Sequence, residues 1–86
     1  MTLYRKRPVI VEAFRWMPEV RTMDDEHPVP DWLVKNCVIS GDCIEIYTLE
    51  GIERASPGDW IVREGASEKV YPVKPEIFEA TYESVV

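Results

Sequence analysis

Cys37-Val38-Ile39-Ser40-Gly41-Asp42-Cys43-Ile44-Glu45-Ile46-Tyr47-Thr48-Leu49-Glu50-Gly51-Ile52 carries the period that decides the fold. From Cys43 onward, apolar residues recur at every second position, which is the spacing of a half-buried strand. Ile44 and Ile46 are expected to point inward and Glu45 outward. Ser40-Gly41-Asp42 reads as a turn. Leu49-Glu50-Gly51-Ile52 places two residues between strand-like runs, and Gly51 can take the positive φ that a tight hairpin turn requires. A β-hairpin is expected there, its second arm running from Ile52 to Ala55, with Glu45 and Glu53 as cross-strand neighbours on a solvated face.

Toward the C-terminus, Ser56-Pro57-Gly58-Asp59 has the signature of a type II turn: Pro57 presets φ at the second position and Gly58 permits positive φ at the third. Asp59 is expected to bond turn amides and Trp60 to open a buried strand. Trp60 to Arg63 and Glu68 to Val73 read as two strands joined by a loop and paired antiparallel, with Pro72 marking an edge or a bulge. Pro75-Glu76 favours a helical turn at about 75–79 that seats Ile77 and Phe78 in the core, after which Ala80 to Val85 is expected to close the chain as a final strand.

Toward the N-terminus, Pro8 to Trp16 is rich in β-branched and aromatic residues and predicts a central strand. Ile10, Phe14 and Trp16 share one face, with Glu12 the exception, and Val9, Val11 and Ala13 share the other. Met17 to His27 has no sustained period and predicts an exposed loop. Val29 to Asn36, with Pro30 in the first turn and Asn36 as a stop, predicts a short helix over about 30–36. At two turns, its stability must come from packing Trp32 or Leu33 on the sheet. The expected fold is α+β and mainly β: a small, strongly bent antiparallel sheet or partly open barrel with one short helix and one helical turn, forming a single domain over residues 1–86.

Composition bounds function next. The 86 residues include 10 Lys or Arg and 16 Asp or Glu, for a net charge of -6, which argues against a basic nucleic-acid binder. The charge is uneven: residues 1–21 hold five basic groups against two acidic ones, and the remainder holds five against fourteen. No apolar run approaches the length of a membrane span. The basic start of the chain is followed by Glu12, Arg15 and Trp16 rather than by the apolar segment of a signal peptide, so the cytoplasm is the expected location. Cys37 and Cys43 are five residues apart, match no metal or redox spacing, and are expected to be free thiols.

Thr48-Leu49-Glu50-Gly51, then Pro57-Gly58-Asp59-Trp60-Ile61-Val62, then Tyr71-Pro72-Val73-Lys74-Pro75-Glu76-Ile77-Phe78-Glu79-Ala80-Thr81-Tyr82-Glu83 follow one another in an order that resembles a widespread group of short bacteriophage and prophage proteins of unknown function. Arg7-Pro8-Val9-Ile10-Val11-Glu12-Ala13 with Trp16 is similar to the start of that group. The resemblance covers residues 7–16 and 47–83. Ser67-Glu68-Lys69-Val70 departs from the Gly-Glu pair that often precedes the Tyr-Pro in the group. What the resemblance implies is a phage or prophage origin and the cytoplasm of an infected or lysogenic bacterium. It supplies no catalytic residues to carry over.

Three functional expectations follow. No nucleophile–base arrangement, phosphate loop or metal motif is recognisable, so a noncatalytic protein without a cofactor, acting by contact with a host or phage protein, is the leading one. Asp24, Asp25 and Glu26 are its candidate partner-binding residues; a metal site built from Asp24, Asp25, His27 and a cysteine matches no known spacing. The second is a nucleotide or anion module using Arg5, Lys6, Arg7 and Arg15 with Trp16 as an aromatic platform. The third is a self-associating accessory protein using an exposed strand edge.

Overall fold

The computed structural model describes residues 1–4, 9–18, 29–65 and 69–85. Its strands are β1 (Val11–Arg15), β2 (Cys37–Ser40), β3 (Cys43–Thr48), β4 (Gly51–Ala55), β5 (Trp60–Glu64) and β6 (Val70–Val73), and its helices are α1 (Asp31–Val34) and α2 (Pro75–Thr81). They form two antiparallel three-stranded sheets, ordered β1-β5-β6 and β2-β3-β4, with β4 and β6 adjacent across the seam. The expected mainly β fold with two short helical pieces is present, and among the described residues the strands do not close into a barrel.

The β2-β3-β4 sheet follows the two-residue period. Ile44 and Ile46 are fully buried, and Ala55, opposite Ile44, joins them. The hairpin loop is shifted by one residue from expectation. Thr48 pairs with Gly51, so Leu49 and Glu50 form the loop, and Gly51 uses its positive φ of 122° at the first position of β4. Thr48 holds this turn by donating its hydroxyl to the Gly51 carbonyl (2.7 Å) and accepting the Glu50 N–H (3.2 Å). The expected pairing of Glu45 with Glu53 is also corrected. Glu45 lies opposite Arg54 and Glu53 opposite Ile46, which turns Glu53 to the inward face because adjacent strand residues alternate sides.

In the second sheet, the expectation of a central first strand is overturned. β1 is an edge and β5 occupies the middle. Val9 and Ile10, whose apolar character suggested a doubly buried strand, precede β1 and are exposed. The core face is the one carrying Phe14 and Trp16. Trp16, Ile61, Leu33, Ile44, Ile46 and Ala55 form the core between the sheets. Glu12 shares that face because it has partners there: its carboxylate accepts the Trp32 indole N–H at 3.0 Å and pairs with Arg63 at 3.3 Å. Pro72 sits on β6 at the sheet edge, where its missing N–H costs no ladder bond.

α1 is shorter than the expected 30–36 helix. Pro30 precedes it and accepts the Leu33 and Val34 N–H groups, Leu33 is its buried anchor, and Asn36 closes it by donating its side-chain amide to the Trp32 carbonyl. The expected final strand over 80–85 is absent, because the helical turn at 75 continues to Thr81. Phe78 stacks between Trp60 (centroids 4.1 Å apart) and Tyr82 (4.9 Å), and one helical turn is the spacing that brings Phe78 and Tyr82 together. Ile77, expected in the core, faces away from this stack and is 55% exposed.

The Ser56-Pro57-Gly58-Asp59 turn forms as read. Gly58 has φ 93°, and Asp59 donates its N–H to the Ser56 carbonyl at 3.0 Å. Asp59 is 4% exposed, and its carboxylate accepts the Ser56 N–H and pairs with Lys74 Nζ, both at 2.9 Å.

Candidate binding cleft between two hairpin ends

The unpaired edges of β4 and β6 leave a half-open cleft of about 300 Å³ at one end of the seam. The end of the β3-β4 hairpin contributes Thr48, Leu49, Glu50 and Glu53, and the end of the β5-β6 hairpin contributes Glu64, Lys69, Val70 and Tyr71. Glu53 reaches it because the register places this residue on the inward face, beyond the last buried pair of the sheet. The second hairpin is closed by the Glu64 N–H donating to the Lys69 carbonyl at 2.9 Å.

Tyr71 links the cleft to α2. Its hydroxyl donates to Glu64 Oε2 at 2.8 Å and lies 3.1 Å from the Tyr82 hydroxyl, which supplies the proton of that second bond. Burial first, then the bonds to Tyr82 and Glu64, hold the Tyr71 hydroxyl protonated well beyond the ordinary tyrosine range. Tyr71 is therefore a fixed donor rather than a base. The Thr48 hydroxyl is occupied by the turn it holds. The lining contains three carboxylates, one ammonium group and the exposed side chain of Leu49, a combination suited to holding a cationic side chain with an apolar neighbour.

Of the sequence-derived candidates, the structure describes Arg15 and Trp16 and turns them to opposite sides. Arg15 donates Nε–H to the Gly58 carbonyl at 3.1 Å and lies over the Trp60 ring with its guanidinium carbon 5.7 Å from the centroid. Trp16, its neighbour in sequence, points to the opposite face of β1 and is 1% exposed, so its ring offers no surface for stacking a ligand. Arg5, Lys6 and Arg7, like Asp24, Asp25, Glu26 and His27, lie outside the described residues. Cys37 and Cys43 are not joined in a disulfide and lie on opposite faces of their sheet: Cys37 pairs with Ile46, and Cys43 lies an odd number of residues from it. Among the described residues no group of three or more side chains is arranged to hold a metal, and no helix is long and apolar enough to cross a membrane.

Sequence reasoning missed the cleft. The available signal was Glu53, a carboxylate two positions before the buried Ala55 on the same face of β4, and it becomes visible only once the register is known. No protein-family model, curated protein or solved structure matches the chain.

Proposed function

We propose that this chain is a small noncatalytic protein of phage or prophage origin that acts in the bacterial host cytoplasm by binding a basic segment of a host or phage protein in the cleft between its two hairpins. The observation that carries this reading is the convergence of Glu50, Glu53 and Glu64 from separate hairpins on one half-open cleft beside Leu49, which is 88% exposed. A lysine or arginine side chain entering there meets charge-assisted acceptors, while Leu49 gives an adjoining apolar residue something to cover. The phage or prophage origin is supported by the motif resemblance over residues 7–16 and 47–83.

The test is affinity capture from bacterial extract, before and after phage induction, with a size-matched acidic protein as control. A protein retained by the wild type, released by salt and lost on Glu50→Lys with Glu53→Lys supports the reading. A set of retained proteins identical to that of the acidic control, or unchanged by the two substitutions, overturns it.

A further inference from the structure

Among the described residues, nothing packs on the side of the β2-β3-β4 sheet that faces away from the core. That side carries Val38, Glu45, Tyr47, Ile52 and Arg54. Tyr47 is 49% exposed and Ile52 64% exposed, whereas the polar outward alternation of a solvated sheet face would place hydrophilic residues at both positions. The register gives this face a second property. Glu45 is directly opposite Arg54, with the carboxylate and guanidinium 3.4 Å apart, and in the next outward row Tyr47 is directly opposite Ile52. Each row therefore pairs unlike residues on the same two strands, with the acid and the aromatic on β3 and the base and the aliphatic on β4.

We infer that this face is the contact between two copies of the chain, packed about a two-fold axis that runs parallel to the strands, midway between β3 and β4. Such an axis exchanges the β3 and β4 columns while keeping each row at its own level. Glu45 of one copy then lies over Arg54 of the other, Tyr47 lies over Ile52, and both relations occur twice because the interface is isologous. Two sheets facing at about 10 Å bring long side chains from both copies into contact. The pair within one chain becomes a ring of two carboxylates and two guanidinium groups of alternating sign, which is worth more than two isolated surface pairs. A foreign partner would need a matched pattern of its own, whereas a second copy has it by symmetry.

The axis superposes β3 and β4 alone, and two strands about 4.8 Å apart with five residues at about 3.4 Å each give a contact of about 10 by 17 Å, less than the roughly 800 Å² per partner of a standard stable complex. The dimer is therefore weak and concentration-dependent. It is independent of the cleft, which lies at the seam on the other side of the sheet.

Sedimentation equilibrium of the full chain up to about 1 mM, at ionic strength near 0.15 M to screen the net charge of -6, reads the association directly. The wild type is expected to dimerise. Glu45→Arg alone and Arg54→Glu alone set like charges over each other, and each should weaken the dimer at least about tenfold, equivalent to about 1.4 kcal/mol. The double variant restores opposite charges and should recover the wild-type constant to within a few-fold. Circular dichroism confirms that each exposed-site variant is folded. A wild type that stays monomeric to the highest concentration overturns the inference. So do single variants that dimerise like the wild type, which would place the contact at a strand edge instead, or a double variant that fails to recover.

Discussion

The indole N–H of Trp16 donates to the backbone carbonyl of Asp42 at 2.8 Å, tying the end of β1 in one sheet to the β2-β3 turn of the other. The backbone of Trp16 is held as well. Its N–H donates to the Asp59 carbonyl (2.9 Å) and its carbonyl accepts the Gly58 N–H (2.7 Å). One residue thus positions the Pro57-Gly58 turn against β1 while its ring fills the core between the sheets. An indole is suited to this place because it buries a large apolar body and still has one donor for the carbonyl at its rim.

Trp16→Ala should therefore cost about 3–5 kcal/mol, as for other buried aromatic truncations. Trp16→Phe keeps much of the volume but leaves the Asp42 carbonyl without its donor and should cost about 1–3 kcal/mol. Urea unfolding of the three proteins measures both losses. A Trp16→Phe midpoint equal to that of the wild type would show that the ring, and not the bond to Asp42, holds the sheets together.

Asp59 and Lys74 should behave as a coupled pair. Asp59→Ala strands the Ser56 N–H and should cost about 1–3 kcal/mol. Lys74→Met leaves a buried carboxylate with less compensation. Because the Lys74 side chain is itself more than half exposed, water replaces part of its role, and the loss should fall below the about 3–5 kcal/mol seen when fully buried pairs are broken. Once the carboxylate is gone, removing Lys74 as well should add almost nothing. Fully additive losses in the double variant, measured by denaturant unfolding, would show that the two groups do not act together.

What could be read from the chain before its structure was the chemistry that acts over a few residues. The Pro57-Gly58 turn, the inward Ile44 and Ile46, the edge position implied by Pro72 and the buried Leu33 all rest on local dihedral preference or on a short period. What was not legible depends on pairing between distant segments. β1 has the composition of a central strand, yet its place is set by one partner, β5, some fifty residues away. Ala80-Thr81-Tyr82 has enough β propensity to suggest a strand, but the stack of Phe78 on Trp60 and Tyr82 favours continuing the helix, and Trp60 belongs to another element. The cleft was hidden for the same reason: Glu53 becomes inward-facing only when Thr48 pairs with Gly51 rather than with a neighbour.

The stack itself sets the cost of Phe78→Ala. Phe78 is half-buried, lies between two rings and is absent from the core cluster, so the loss should be about 2–3 kcal/mol, below the range for a fully enclosed phenylalanine. Phe78→Leu retains apolar contact and loses only the ring-on-ring geometry, which should cost about 1 kcal/mol. Thermal or urea unfolding distinguishes the two. An Ala variant as stable as the wild type would mean that α2 does not depend on the Trp60 contact.

Tyr71 makes stability fall in alkali. Its folded hydroxyl holds its proton to a higher pH than that of an unfolded tyrosine, whose value is about 10. Below that pH both states are protonated and the group adds no pH dependence. Above it the unfolded chain releases a proton that the folded chain retains, so the folded state binds more protons and stability declines as pH rises toward the folded value. Tyr71→Phe removes this contribution. The difference in urea midpoint between wild type and variant should therefore narrow steadily above about pH 10 and stay constant below it. Absorbance titration provides an independent check: of the four tyrosines, Tyr71 should contribute no phenolate signal around pH 10, where the phenol of an unfolded tyrosine ionises. A wild-type phenolate amplitude in that range larger than that of Tyr71→Phe by one full residue would show that the Tyr71 hydroxyl is not held by Glu64 and Tyr82.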